Sequence, residues 1–201
     1  MTRVVGLTGN VASGKSTVAA LLRGWGATIV DADLIVRELQ RPGQPVFEAI
    51  LERFGPSVRR ADGGLDRTAL RRQIVADPAA RQDLERIVHP AVEARRQALV
   101  ATARERGDPV VISDIPLLFE AVDPGQFDAI IVVDAPIPYR PARLVHDRGL
   151  SPADADALIA AQVPAEAKRA RATWVIDNDS DRPTLEARTR AVWEAIRRSA
   201  A

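Results

Sequence analysis

Residues 9–16 carry the residue types that can bind a polyphosphate. They read Gly-Asn-Val-Ala-Ser-Gly-Lys-Ser, which fits the phosphate-binding pattern G-x-x-x-x-G-K-[ST]. Gly9 and Gly14 let the backbone turn tightly, so that successive backbone N–H groups can face an anion. Lys15 can reach the β- and γ-phosphates of a nucleotide, and the Ser16 hydroxyl can bind Mg²⁺. An apolar run before the loop and a helical run after it favour this interpretation over an ordinary glycine-rich turn.

Carboxylates stand at two places where phosphoryl transfer can use them. Asp31-Ala32-Asp33 closes a predicted strand, and a carboxylate there can accept the proton of an attacking hydroxyl. One aspartate of this pair is expected to cap the helix that follows. Residues 110–114 form an apolar run that ends on Asp114, which is typical of a strand that supports Mg²⁺. The chain has no N-K-x-D guanine-recognition motif, and this argues against a GTPase.

Five apolar runs predict the strands that position these residues. They span residues 4–8, 28–31, 110–114, 129–134 and 174–177. The runs are continuous rather than alternating, as expected for strands that are covered on both faces. Helical stretches separate them, so we predict an α/β fold with a parallel five-stranded sheet flanked by helices.

Two helical interruptions are predicted between the strands. About eighty residues separate the second and third strands, far more than the dozen that a crossover needs. This region, taken as residues 35–108, is expected to contain helices over 45–54, 67–76 and 78 to roughly 105, with a turn at 59–64. The second interruption, residues 144–173, has a helix capped by Ser151 that runs to Gln162, a break at Pro164 and a basic helix over 166–171. It has the form of a lid, with a solvated surface hairpin as the alternative. Residues 183–201 are expected to form a closing helix.

Composition limits the class of protein further. A chain of 201 residues with 46% hydrophobic residues predicts a single domain with a full core. The 28 basic and 27 acidic residues nearly cancel, which argues against a general nucleic-acid binder. There are no cysteines and two histidines, so thiolate metal sites are excluded and a histidine-rich site is disfavoured. No run is long enough to cross a membrane and no signal peptide is evident, so we expect a cytoplasmic protein that does not bind membranes. A monomer is the default expectation, with an oligomer left open.

The chain resembles the dephospho-coenzyme A kinases along nearly its whole length. The most discriminating elements are Val88-His89-Pro90 and Asp114-Ile-Pro-Leu-Leu-Phe-Glu120, because neither is general among phosphate-loop proteins. They occur in order and at family-like spacing. The other matching elements are Gly6-Leu7-Thr8-Gly9 before the loop, Asp31-Ala32-Asp33, Leu65-Asp66-Arg67, Arg143-Leu144, Arg148-Gly149, Ala161-Gln162, Lys168-Arg169-Ala170 and Val175-Ile-Asp-Asn178.

This resemblance implies the last step of coenzyme A synthesis, in which ATP with Mg²⁺ phosphorylates the ribose 3′-hydroxyl of dephospho-coenzyme A. Asp33 is then the catalytic base, while Lys15 and Arg143 stabilise charge on the transferring phosphoryl group. The residues implied for ATP are Gly9, Ala12, Ser13, Gly14, Lys15, Ser16, Thr17, Arg148 and Asn178. Those implied for the acceptor are Thr8, Asp33, His89, Asp114, Pro116, Leu117 and Glu120. Ser16 and Asp114 are implied for the metal, the insertion 35–108 for coenzyme A binding and 144–173 for the lid.

Several alternatives stay open on the sequence alone. Arg143 could instead be a charge on the surface of a helix. His89 could instead cap a helix and fill a groove. Asp114 could support the geometry of the loop instead of binding metal. Asn10 and Ala12 stand where the family often has glycine. Asn10 tolerates unusual backbone angles, whereas Ala12 is expected to limit the loop to angles that a Cβ allows.

Two rival functions also remain. One is a small phosphate-loop kinase for another acceptor, such as a nucleoside monophosphate, against which the residue 114–120 element argues. The other is a non-catalytic nucleotide-binding module, against which the presence of Asp33, Lys15 and Arg143 argues.

Overall fold

The protein is built on one five-stranded parallel sheet. The computed structural model describes residues 1–149, 151–160 and 162–200. The strands are β1 (Arg3–Gly9), β2 (Thr28–Asp31), β3 (Val110–Asp114), β4 (Ala129–Asp134) and β5 (Trp174–Asp177), in the spatial order β2-β3-β1-β4-β5. This confirms the predicted fold class and all five strands.

The sheet register brings the phosphate loop and three acidic strand ends to one edge. β1 lies between β3 and β4, and in these pairs Leu7 is opposite Asp114 while Gly9 is opposite Val133. β4 pairs with β5 so that Asp134 is opposite Asp177. Because parallel strands end at the same edge, side chains that are far apart in sequence meet there.

The helices follow the sequence prediction closely in most places. They are α1 (Lys15–Gly24), α2 (Ala32–Leu39), α3 (Pro45–Phe54), α4 (Arg67–Ala76), α5 (Pro78–Glu105), α6 (Leu118–Ala121), α7 (Tyr139–Arg148), α8 (Pro152–Ala160), α9 (Ala165–Arg169) and α10 (Arg182–Ala200). Two short 3₁₀ turns, Pro56–Val58 and Pro124–Gln126, complete the set.

Three predicted helix boundaries differ from the structure for local reasons. α8 ends at Ala160 instead of Gln162, and Ala161 itself lies outside the described residues. α9 ends at Arg169, after which the chain continues as a turn in which Arg171 N–H donates to the Lys168 carbonyl at 3.1 Å. α10 begins before Pro183 because the Asp181 carboxylate accepts from Thr184 N–H at 2.9 Å and caps the helix.

The chain divides into two compact units. The first comprises Met1–Val30 and Val100–Ala201, and its core packs α1 and α10 against the sheet. Fully buried side chains from each element meet there, among them Leu22, Ile131 and Ile196. Each such aliphatic side chain stabilises the fold by about 1.5–3 kcal/mol.

The second unit, Asp31–Leu99, has a core of its own. Phe47 and Ile50 of α3 pack with Val58 and with Leu70 of α4. Asp66 caps α4 by accepting a hydrogen bond from Ala69 N–H at 2.9 Å. This unit covers most of the predicted insertion 35–108, whose role in acceptor binding stays a prediction. Among the helices within the described ranges, none is both long and apolar enough to cross a membrane.

Candidate active site

The side chain of Asn178, which follows the edge strand β5, holds the phosphate loop in shape. β1 ends at Gly9 and α1 begins at Lys15, with Gly14 between them in a left-handed conformation (φ +90°). Asn178, directly after β5, is buried, and its Nδ2 donates to the Ser13 carbonyl at 2.8 Å. A Cβ on Gly14 would overlap that amide group, so the position needs glycine for space and for backbone angle.

The unusual backbone angle in the loop falls on Ala12. Its φ is +59°, which L-residues other than asparagine and aspartate rarely adopt. This angle lies in the small left-handed region that a residue with a Cβ can adopt, which agrees with the expectation for Ala12, whereas Asn10 does not use its tolerance of unusual angles. Arg143 Nη1 donates to the Ala12 carbonyl at 3.1 Å.

Lys15 and Asp114 form an ion pair at the sheet edge, although 99 positions separate them in the sequence. Their side chains are only 17% and 8% exposed, respectively. Charges removed from water in this way need a partner, and each supplies one for the other. The pair places a carboxylate beside the first turn of α1, where Ser16 follows Lys15.

Arg143 lies against the loop rather than on a free surface. It is part of α7 and donates from Nη1 to Ala12 and from Nη2 to the Asn178 carbonyl at 3.4 Å. The interpretation of Arg143 as a simple surface charge is therefore wrong. A cavity of about 500 Å³ opens beside it and is lined by Ala12, Gly14, Ser16, Thr17, Arg143, Leu144, Asn178, Ser180, Arg182 and Leu185.

Residues 115–120, here termed the acceptor segment after their predicted role, follow β3. They lie beside the end of β1, from which the phosphate loop continues. Ile115 N–H donates to the Leu7 carbonyl at 2.9 Å, and Thr8 Oγ1 donates to the Pro116 carbonyl at 3.0 Å. Leu117 is 48% exposed although it is apolar. Five predicted acceptor residues thus lie within this unit: Thr8, Asp114, Pro116, Leu117 and Glu120.

Two predicted site residues belong to the second unit. Asp31 is the aspartate that caps α2, accepting from Leu34 N–H at 3.1 Å. Asp33 is exposed in the first turn of α2 and has no capping role. His89 is exposed in the interior of α5, which continues through Pro90. The alternative that His89 caps a helix and fills a groove is therefore wrong.

Some contacts at the site were not predicted. Gln162 Oε1 accepts from the loop N–H of Val11 at 2.8 Å, so the segment after α8 touches the phosphate loop. Arg169 bridges the ends of β4 and β5 through Asp134, at 3.0 Å, and Asp177. The hydrogen bond to Asp177 raises the pKa of the Arg169 guanidinium above its usual value. The side chain of Arg148, a predicted ATP ligand, lies outside the described part of the structure.

The sheet order, the phosphate loop at the end of β1 and the buried lysine–aspartate pair define a kinase of the P-loop class. Similarity to known proteins narrows the class to one family. The sequence profile described as dephospho-CoA kinase matches residues 3–184. The chain therefore belongs to the dephospho-CoA kinase family.

Individual relatives agree with this assignment. The chain is 49% identical to a dephospho-CoA kinase of Symbiobacterium thermophilum over 193 residues, covering 96% of this chain and 81% of the relative. A crystal structure from Thermus thermophilus matches with TM-score 0.82 and 38% identity over 96% of this chain and 97% of the other. A dephospho-CoA kinase structure from Campylobacter jejuni, 22% identical and covering all of both chains, matches with TM-score 0.76 and supports the fold.

The activity follows from the family. Its members catalyse the final step of coenzyme A biosynthesis, the ATP-dependent phosphorylation of dephospho-coenzyme A, and this chain is such a kinase. The rival assignments to another acceptor or to a non-catalytic module lose their support, because the match extends over nearly the whole chain.

Proposed function

We propose that this kinase transfers the γ-phosphoryl group of ATP to the ribose 3′-hydroxyl at the loop formed by residues 9–16. The observation that carries the proposal is the convergence of Lys15, Asp114 and Arg143 on that loop from three separate elements. Fixed cations and backbone N–H groups directed at one position stabilise the negative charge that develops during phosphoryl transfer.

The nucleotide binds, in this proposal, with its phosphates on the loop and the remainder in the cavity of about 500 Å³. The backbone N–H groups at the start of α1 face the phosphates. Lys15 moves from Asp114 to the β- and γ-phosphates, since its flexible stem allows a small rotation. Arg143 is already beside the loop and needs only to exchange a carbonyl for a phosphate oxygen.

Ser16 and Asp114 would hold Mg²⁺. Both offer hard oxygen atoms, and the Asp114 carboxylate lies against the residue that precedes Ser16. Within the described residues no group of three or more acidic or histidine side chains gathers into a metal site. A P-loop kinase does not need one, because Mg²⁺ is commonly held by one or two protein groups together with the phosphates and water. The ion would neutralise charge on the β- and γ-phosphates.

Asp33 is the proposed base. It would accept the proton of the 3′-hydroxyl while that oxygen attacks the γ-phosphorus and the bond to the bridging oxygen breaks, releasing ADP. Two features support this role: the residue lies two positions after the end of β2, and its carboxylate is not used as the helix cap. Residues 35–108 are proposed to bind the coenzyme A portion, and residues 144–173 to act as a lid that excludes water.

We also propose that the enzyme works as a monomer in the cytoplasm, where both of its small-molecule substrates are available. Size-exclusion chromatography with light scattering, and fractionation of the source cells, would test these two points separately.

The reaction is tested by ADP release with MgATP, in the presence and absence of dephospho-coenzyme A, and by mass analysis of the product. We expect ADP release that depends on the acceptor and a product heavier by one phosphate. Phosphorus–proton correlation by NMR then locates the phosphate on the ribose. Phosphate at the 2′-oxygen would overturn the proposed regiochemistry, and equal ADP release without acceptor would overturn the proposed coupling.

A further inference from the structure

Lys168 is one of the most buried residues of the protein, at 1% exposure. Its Nζ lies 2.8 Å from Glu120 Oε1, but the approach angle is not that of a hydrogen bond, and no other partner for Nζ occurs among the described residues. Lysine is almost never fully buried without a paired charge, because desolvation of the ammonium group costs several kcal/mol. The ion pair with Glu120 is therefore what allows Lys168 to stay in this position.

Arg171, in the turn that follows α9, contacts Phe119, the residue that precedes Glu120 in the acceptor segment. The Arg171 guanidinium lies over the Phe119 ring, 4.4 Å from its centroid. Consecutive residues, Phe119 and Glu120, are thus each held by one cation from the end of α9 or from the turn that follows it. Cation–π contacts of this kind contribute about 0.5–2 kcal/mol, depending on their exposure.

The segment from α9 to the start of β5 is fixed to the sheet at both of its ends. Thr173 N–H donates to the Ile130 carbonyl at 2.9 Å, and Ile130 N–H donates to Thr173 Oγ1 at 3.0 Å. Arg169 ties the helix to the ends of β4 and β5. The two cations that hold the acceptor segment therefore lie in the part of residues 144–173 that is bound to the sheet.

The acceptor segment is closely packed on its opposite side. Leu118 is fully buried against β1, where a Cβ on Gly6 would come within 2.6 Å of Leu118 Cδ1. Leu117, between the anchored residues, is the apolar side chain that remains exposed. A segment fixed from both sides presents Leu117 and its neighbours in one geometry.

We propose that Lys168 is a positioning residue for the acceptor: through Glu120 it fixes the acceptor segment in the geometry that binds dephospho-coenzyme A. The proposal rests on the acceptor role of residues 115–120. Lys168 does not touch substrate, because its Nζ is inaccessible. The ion pair contributes more to the orientation of the acceptor segment than to the stability of the fold, since apolar pairs of similar size often stabilise a fold equally well.

The test is steady-state kinetics of Lys168→Met with each substrate varied in turn. We expect the KM for dephospho-coenzyme A to rise about tenfold, with the KM for ATP within about twofold, because a displacement of the segment affects only the acceptor. A merely structural role predicts a lower kcat per total protein, in proportion to the folded fraction, with both KM values unchanged. That result would overturn the proposal.

Two further variants test whether the effect of Lys168→Met comes from a loss of folding and whether Lys168 acts through Glu120. Glu120→Gln removes the same ion pair with a smaller change in volume, and we expect the same selective rise in acceptor KM. The double variant Lys168→Met/Glu120→Gln should be no worse than Lys168→Met alone, since both changes remove one interaction. Additive effects on the acceptor KM would show that Lys168 does not act through Glu120.

Two controls separate this proposal from the assignment on which it depends. Arg188→Met removes an ion-paired cation of α10, which forms the Arg188–Asp179 pair, and should leave the acceptor KM unchanged. Leu117→Ala should raise the acceptor KM whether or not Lys168 matters. If Leu117→Ala has no effect, the acceptor assignment of the segment fails; if Leu117→Ala has an effect and Lys168→Met has none, the positioning role fails.

Discussion

The phosphate loop follows β1 and the acceptor segment follows the neighbouring strand β3, but the two obtain their shapes differently. The loop is a backbone structure with a recognisable sequence pattern, and distant residues such as Asn178 and Arg143 hold its carbonyl groups. The acceptor segment comprises three residues without regular structure and the start of α6, and charged side chains from the α9 region hold its side chains. One region is therefore sensitive to backbone changes and the other to side-chain pairing.

This difference suggests how the enzyme separates its two substrates. Polyphosphate recognition uses N–H groups, which any sequence can supply if the backbone is fixed. Recognition of a particular acceptor needs particular side chains in place. Substitutions on the two sides should therefore change different kinetic constants, and the following variants test that expectation from the largest effect to the smallest.

Asp33→Asn should have the largest effect. We expect turnover to fall by about 10²–10⁴-fold, because the amide cannot accept the hydroxyl proton. ATP affinity, measured by calorimetry, should stay nearly unchanged, since Asp33 is not proposed to bind the nucleotide. A loss of less than threefold would remove Asp33 as the base.

Lys15→Ala should impair both binding and chemistry. The variant lacks the cation for the β- and γ-phosphates, so kcat/KM for ATP should fall by about 10²–10³-fold. Calorimetric titration with ATP and initial-rate kinetics report the two losses separately, and circular dichroism shows whether the fold survives removal of the partner of Asp114. Normal kinetics would contradict the loop assignment.

Asn178→Ala should weaken the binding of ATP and leave the binding of dephospho-coenzyme A unchanged. It removes the donor to the buried Ser13 carbonyl, and an unsatisfied buried group costs about 1–3 kcal/mol. We expect the KM for ATP to rise about tenfold, equivalent to 1.4 kcal/mol, and the melting temperature to fall. The KM for dephospho-coenzyme A should not move; an equal rise in both constants would show that the two sides are not separate.

Ala12→Gly should have the smallest effect. The left-handed conformation costs a residue with a Cβ about 1 kcal/mol, and glycine removes that cost but gains entropy in the unfolded chain. We therefore expect the free energy of unfolding to change by less than about 1 kcal/mol and kcat to stay within threefold. Urea titration measures the first quantity. A loss of several kcal/mol would mean that the Ala12 methyl group packs against the loop.

Much of the fold was predictable from local patterns. The boundaries of four strands agree with the predicted ones, and β1 is longer by one residue at each end. Long apolar runs and helix caps depend on residues that are close together in the chain, so they can be recognised in a single sequence. The misplaced ends of α8, α9 and α10 differ from the predicted ones by one or two residues, a range within which helix ends vary.

The sequence by itself determined the phosphate loop, the parallel α/β architecture and the family, because each depends on residue types at short, fixed spacing. Only the tertiary structure decided which distant groups meet: Lys15 with Asp114, Arg143 with Ala12, and Lys168 with Glu120. Strand order brings these residues together, and pairings across the sheet leave no periodic mark in the chain. The left-handed Ala12 shows the same limit, because the arginine that binds its carbonyl group lies 131 positions away in the sequence.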